Sequence, residues 1–287
     1  MLTYTPSKPS SQSMNKKRSW LWLLLVFVWL WPGVLHHDLW TPGEPYLFTT
    51  ASQWHKAHWA VPTIFGEINW EASPLYIWLS ALCQHLFSPN QMDAFEATRL
   101  TNVILIVCTF ACIGGSGRQF LGRGYGRITI LILLGCTGIL IPAHFINDSI
   151  ILFLGSAMCW YGFFTVRSSH HDGLHDAGRW LGCTVTHRQP IVAITADAGS
   201  VQLAFLPSVA SPSLLSSFTD IPALCLTSML VWPLALHQTA ANIFNLWWQY
   251  HALAPFGGFQ HQEVHFSLGY YLKNLLWFAF PAWPLAI

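Results

Sequence analysis

The chain has 287 residues, of which 53% are hydrophobic and 9% are charged, and its formal net charge is +1. Soluble domains usually contain about 25% charged residues, so this composition excludes an ordinary soluble domain. Sixteen tryptophans are typical of the aromatic belts that form at membrane surfaces. We therefore predict an all-α, polytopic membrane protein. The sequence has no basic patch of the kind that binds nucleic acids, so a nucleic acid is not expected as a partner.

The N-terminal part consists of a polar tail followed by an apolar run. Residues 1–18 are predicted to form a cytoplasmic tail, because Lys16, Lys17 and Arg18 stand directly before the apolar residues 19–35. The run is long and lacks a small-x-small cleavage site, which favours a first membrane helix over a cleaved signal peptide. The segment that follows is then expected outside the membrane, in the periplasm of a bacterium.

A polar and aromatic segment at 36–80 interrupts the apolar pattern, within a predicted periplasmic loop at 36–99. It cannot lie in hydrocarbon, because its backbone groups and charges would stay unsatisfied there. Pro74–Phe87 within it is too short to span a bilayer and is predicted to lie along the interface.

Later apolar runs predict further spans. They cover 100–117, 128–143, 149–166 and 221–236, and the final apolar run is 268–287. The poorer apolar stretch at 189–219 holds either one poor span or two short ones. Basic residues at 118–127 and 167–188 fall at alternate ends of successive spans, as the positive-inside rule requires. Glu44 and Asp148 are thereby predicted on the same outer side.

Several polar residues on that side are candidates for chemistry. Glu44 and Asp148 could act as bases or metal ligands at a membrane face, although solvation or helix capping would explain acids there equally well. His261 and His265 flank Glu263 at a spacing that metal ligands can have. Interfacial histidines without a ligand are the alternative for that pair.

The order of these pieces resembles a known family. The segments that carry the resemblance are HDLWTPGEPYLF, HWAVPTIFGEINWEASPLYIWLSAL, HFINDSIILFLGSAMCWYGF, VWPLALHQTAANIFNLWWQYHALAPFGGF and YYLKNLLWFAFPAWPLAI. Together they resemble the membrane domain of the bacterial GT-C glycosyltransferases, the family of lipid A aminoarabinose transferases and protein O-mannosyltransferases. The resemblance covers most of 19–166 and 230–287. It implies one GT-C-like transmembrane domain at 19–287, a second periplasmic loop at 237–268, and truncation of the family's C-terminal part.

Residue by residue, the resemblance implies a site. The family's acidic pair and nearby tyrosine read here as Gly43, Glu44 and Tyr46, and its second acidic position is Asp148. The implied catalytic residues are Glu44 and Asp148. The implied substrate-binding residues are Tyr46, Trp59, Tyr76 and Trp78, and Glu71 with His265 is the implied metal pair, for a divalent ion.

Two positions depart from the family's pattern. Gly43 replaces the first acid, and Ala72 replaces a lysine that would meet the lipid phosphate. The implied function is an inverting hexosyl or pentosyl transferase of the inner membrane, with its site in the periplasm. It would move a sugar from a polyprenyl-phosphate donor to a lipid A-type or other envelope acceptor. The two departures leave a catalytically impaired relic or a lipid-binding membrane protein as the alternative.

Overall fold

The computed structural model describes residues 19–32, 34–35, 38–39, 43–54, 59–70, 72–88, 92–122, 124–166, 232–249 and 268–286. The helices are α1 (Ser19–Leu30), α2 (Gly43–Ser52), α3 (Pro74–Phe87), α4 (Ala94–Leu121), α5 (Tyr125–Gly135), α6 (Thr137–His144), α7 (Ile150–Val166), α8 (232–239), α9 (Ala241–Trp247), α10 (Leu268–Phe278) and α11 (Ala282–Ala286). Strands β1 (Thr63–Ile64) and β2 (Glu67–Ile68) pair antiparallel.

The described residues confirm the helical prediction, and a short hairpin between α2 and α3 is the exception among them. The β1–β2 hairpin turns at Phe65 and Gly66, whose φ angles are +50° and +88°. Positive φ at both central residues gives the turn a twist that matches two antiparallel strands. The Gln53 side chain accepts a hydrogen bond from the Phe65 N–H at 2.7 Å and ties the turn to the end of α2.

Within the described residues, α4 is the one helix long and apolar enough to cross a bilayer by itself. Its 28 residues correspond to a length of about 42 Å. Helices α5 and α6 satisfy the same criterion only as a pair that is bent by 75°. The number of membrane crossings therefore stays a prediction, and the stretch at 189–219 lies outside the described residues.

The predicted single span at 128–143 is wrong in detail, because the helix breaks at Cys136. This residue has an extended backbone, with φ −68° and ψ 122°. The Thr137 N–H donates to the Phe280 carbonyl at 3.1 Å, and the Thr137 hydroxyl donates to the Trp277 carbonyl at 2.5 Å. The C-terminal segment thus satisfies polar groups at the break, which lets the bend persist in an apolar setting.

One further expectation needs correction in the C-terminal part. The run at 268–287 is not one helix, since α10 ends at Phe278 and α11 begins at Ala282. Pro281 between them has no N–H to continue an α-helix. The second periplasmic loop at 237–268 stays a prediction, and α8 and α9 cover all but one of its residues 237–247.

Helix α4 is the centre of the packing and contacts α3, α5, α6 and α7. Its buried side chains join a core that includes Tyr76, Ile77, Ile106, Ile150 and Ile151. A second, smaller cluster places Trp232, Leu236 and Trp247 against Ala60 of the first loop. The two clusters hold the loop that carries Glu44 between α4 and the α8–α9 segment.

We expect Gly126→Ala to destabilise the protein by about 1–3 kcal/mol, because overpacking a close helix contact forces backbones apart. A Cβ at Gly126 would collide with the backbone carbonyl of Gly114 where α5 crosses α4. Gly269→Ala is the matched control, since a Cβ there meets nothing within 4 Å. Thermal unfolding in detergent should show a lower midpoint than the wild type for Gly126→Ala and an unchanged midpoint for Gly269→Ala. Equal midpoints would contradict this close approach.

Candidate active site

Glu44 lies in the first turn of α2 and is only 1% exposed. Its Oε2 forms an ion pair with a guanidinium nitrogen of Arg99 at 3.3 Å. Its Oε1 accepts a hydrogen bond from the Ile146 backbone N–H at 2.8 Å. Arg99 also donates to the Asp38 carbonyl at 3.0 Å. One buried carboxylate therefore connects α2, α4 and the turn that precedes α7.

Asp148 stands on that same turn and is 2% exposed. Its Oδ2 accepts a hydrogen bond from the Ser73 N–H at 3.1 Å. Ser73 immediately precedes α3, where exposed N–H groups and the helix dipole favour a negative charge. The carboxylate therefore binds the start of α3, whereas the capping alternative concerned the helix that follows Asp148 in the chain.

Tyr76 and Asn102 are two further buried polar residues near the acids, and they bind each other. The Tyr76 hydroxyl donates to the Asn102 Oδ1 at 2.5 Å, and the Asn102 amide donates to the Phe145 carbonyl. Burial raises the pKa of Tyr76, and the charges of Asp148 and Glu44 raise it further. The phenol therefore keeps its proton at neutral pH and serves as a hydrogen-bond donor.

The turn at 145–148 is the point where these contacts meet. Phe145 is bound by Asn102 of α4, Ile146 by Glu44 of α2, and Asp148 binds the start of α3. Glu44 and Asp148 are far apart in sequence, and the fold brings both to this turn. The arrangement can hold a carboxylate ready to accept a proton, with a protonated phenol beside it.

The four predicted substrate-binding aromatic residues separate into two groups. Tyr46 and Trp59 are each 38% exposed, and the Trp78 indole packs on Trp59 with ring centroids 5.5 Å apart. The Trp78 N–H also donates to the Trp59 carbonyl at 2.7 Å. Tyr76 is fully buried, and its hydroxyl binds Asn102. Substrate binding by these four residues stays a prediction.

An apolar cleft opens beside the start of α3. Its lining includes Trp70, Trp232 and Trp247, together with Ala72 and Pro74 on either side of the residue that binds Asp148. The Trp232 indole N–H is already used, because it donates to the Ala60 carbonyl at 3.1 Å. The cleft therefore offers aromatic and aliphatic surface directly next to the acidic turn.

The predicted metal pair, Glu71 and His265, lies outside the described residues. Among the residues that are described, no group of three or more His, Cys, Asp or Glu side chains could hold a metal ion. Glu44 is bound by Arg99 and by the Ile146 N–H, and Asp148 is bound by the Ser73 N–H. A divalent ion stays a prediction for the part of the chain beyond these residues.

Sequence reasoning missed Arg99 and Asn102. Both lie near the start of α4, three residues apart, and each is 1% exposed. Polar residues three apart share a helix face, so such a pair at the edge of an apolar run indicates a buried polar contact. The predicted span began at residue 100, and its boundary separated the pair.

The arrangement of helices is similar to that of a solved structure, ArnT from Cupriavidus metallidurans in the apo state. It has a TM-score of 0.71 and 14% identity over 94% of this chain and 49% of that chain. The chain thus spans about half of that protein's length, and the likeness shows the fold alone. No family model and no curated protein matches the sequence.

Proposed function

We propose that the chain is a membrane glycosyltransferase of GT-C type in a bacterial inner membrane. It would transfer a sugar from a polyprenyl-phosphate donor to a lipid A-type or other envelope acceptor. The observation that carries the proposal is the pair of buried carboxylates, Glu44 and Asp148, gathered at one turn of a GT-C-type fold. By the positive-inside pattern, the N-terminus is cytoplasmic and this turn faces the periplasm.

The chemistry is a single displacement that inverts the anomeric carbon. The acceptor hydroxyl attacks that carbon, the bond from the sugar to the phosphate oxygen breaks, and the hydroxyl proton passes to Asp148. Because Asp148 is buried against Ser73, the acceptor must enter where the start of α3 meets the turn. A divalent ion held by Glu71 and His265 would neutralise charge on the departing phosphate when bound.

The lipid parts of the reaction need an apolar surface. The cleft at Trp70, Trp232 and Trp247 is apolar, and it would have to widen to admit a hydrocarbon chain whose polar head lies near Asp148. Ala72 in its lining carries no charge, so phosphate neutralisation must come from another group. The sugar and the acceptor would then be distinguished by the aromatic residues that stay exposed, Tyr46 and Trp59.

The test is transfer by the purified protein in liposomes. A radiolabelled polyprenyl-phosphate sugar is supplied with lipid A or with an envelope lipid extract. We expect label to move to the acceptor lipid and polyprenyl phosphate to be released in equal amount. An empty liposome and heat-treated protein are the controls. Donor that stays intact under all acceptor conditions, with protein shown to be folded, would remove the proposal.

A second function is favoured by specific residues. Gly43 and Ala72 lack the charged groups of the family's pattern, and Glu44 is already paired with Arg99. A lipid-binding membrane protein without turnover would need only the cleft and the fold. Saturable binding of polyprenyl phosphate together with no sugar release, in the same liposomes, would favour this function over transfer.

A further inference from the structure

The two oxygens of Glu44 are used unequally. The contact from Oε1 to the Ile146 N–H measures 2.8 Å, whereas the contact from Oε2 to Arg99 measures 3.3 Å. Hydrogen bonds between a guanidinium and a carboxylate are usually about 2.7–2.9 Å long. The backbone contact is therefore the shorter one, and Oε1 of Glu44 accepts from the Ile146 N–H.

The Arg99 guanidinium allows the charged Glu44 carboxylate to lie in this buried position. Its side chain is 1% exposed, as is that of Glu44, and an isolated carboxylate in such a place would be strongly disfavoured. The Arg99 guanidinium balances that charge and donates in addition to the Asp38 carbonyl. The pair thus holds the chain before α2 and the turn before α7 against one point of α4.

The held turn carries Asp148 two residues beyond Ile146. Asp148 is restrained from the opposite side by the Ser73 N–H. Its position therefore depends on the contact that Glu44 makes through the backbone and on the contact from the start of α3. Losing either contact frees the carboxylate from the geometry that proton transfer requires, and small displacements reduce such rates strongly.

We propose that Arg99 and Glu44 are positioning residues, which act on Asp148 through the Ile146 N–H and do not touch the reacting atoms. This inference rests on the proposed transferase function. It divides the two acids by role, with Asp148 as the proton acceptor and Glu44 as a structural acceptor. The property that Glu44 supplies is then its oxygen and not its negative charge.

Two double variants distinguish the role of the Glu44 side-chain oxygen as a hydrogen-bond acceptor from the role of its negative charge. Glu44→Gln/Arg99→Met removes both charges together and keeps a side-chain oxygen for Ile146, while Glu44→Leu/Arg99→Met removes both charges and that oxygen. Neither variant leaves a lone buried charge. We expect the leucine variant to have a kcat about tenfold lower than the glutamine variant, with the same donor KM, because a buried N–H loses its acceptor.

Hydrogen exchange provides a readout that needs no turnover. In lipid nanodiscs, amide exchange within 140–150 should be about tenfold faster in the leucine variant than in the glutamine variant. Equal exchange in the two variants would overturn the proposal. A glutamine variant as inactive as Asp148→Asn would overturn it too, because the charge of Glu44 would then be required.

These outcomes are distinct from failure of the transferase itself. A wild-type protein without turnover would remove the proposed function, whereas the exchange comparison would still decide whether Glu44 holds the turn. If the leucine variant does not fold, the comparison between the glutamine variant and Asp148→Asn decides the roles by activity.

Discussion

The substitution Asp148→Asn should lower the kcat of sugar transfer by about 10²–10⁴-fold, the usual contribution of a positioned proton acceptor. Asp148→Asn is a sharp probe, because the asparagine Oδ1 can still accept from the Ser73 N–H while the amide cannot take a proton. The start of α3 therefore stays bound, and the thermal midpoint should change little. Initial rates in liposomes, at saturating donor, measure the effect.

The control for this prediction is Glu67→Gln. Glu67 is an exposed acid on β2, on the same predicted side of the membrane. The same loss of one negative charge from that surface should leave kcat unchanged. Wild-type activity in Asp148→Asn would show that Asp148 is not the proton acceptor. Similar losses in both variants would instead indicate a general effect of surface charge.

The fold was largely predictable because its strongest signals are local. The apolar runs predicted α7 within one residue and the middle of α4, which begins six residues before the predicted run and ends four residues after it. Pro74 stands at the start of α3, because proline is favoured at the first helical position. The break at Cys136 was not predictable in this way. It depends on carbonyls of Trp277 and Phe280, which come from the far end of the chain.

The sequence identified two acids that the fold brings to one turn, and it did not identify the groups that bind them. Glu44 accepts from the Ile146 N–H of this turn, and Asp148 lies on it. Their catalytic role stays a prediction. Their contacts with Arg99 and with the Ser73 N–H are tertiary, and no spacing in the sequence encodes them. A resemblance that assigns two acids the same role cannot show that one is paired with a cation and the other with a helix start.

Replacing Arg99 by methionine should cause the largest loss of stability, about 3–5 kcal/mol, because it leaves the Glu44 carboxylate buried without its cation. Methionine keeps much of the apolar stem, so the loss reports the charge more than the volume. Arg118→Met is the matched control, since Arg118 is exposed near the end of α4 and a surface change of this kind costs within about 0.5 kcal/mol.

Adding Glu44→Gln to Arg99→Met should then recover part of the lost stability. The second change removes the uncompensated charge and keeps the acceptor for Ile146, so the double variant is expected to unfold later than Arg99→Met alone. Chemical unfolding in detergent, followed for all three variants, gives the comparison. If Arg99→Met unfolds at the same denaturant concentration as Arg118→Met, the ion pair does not hold α2 to α4. If the second change brings no recovery, the loss comes from the Asp38 carbonyl contact that Arg99 also makes.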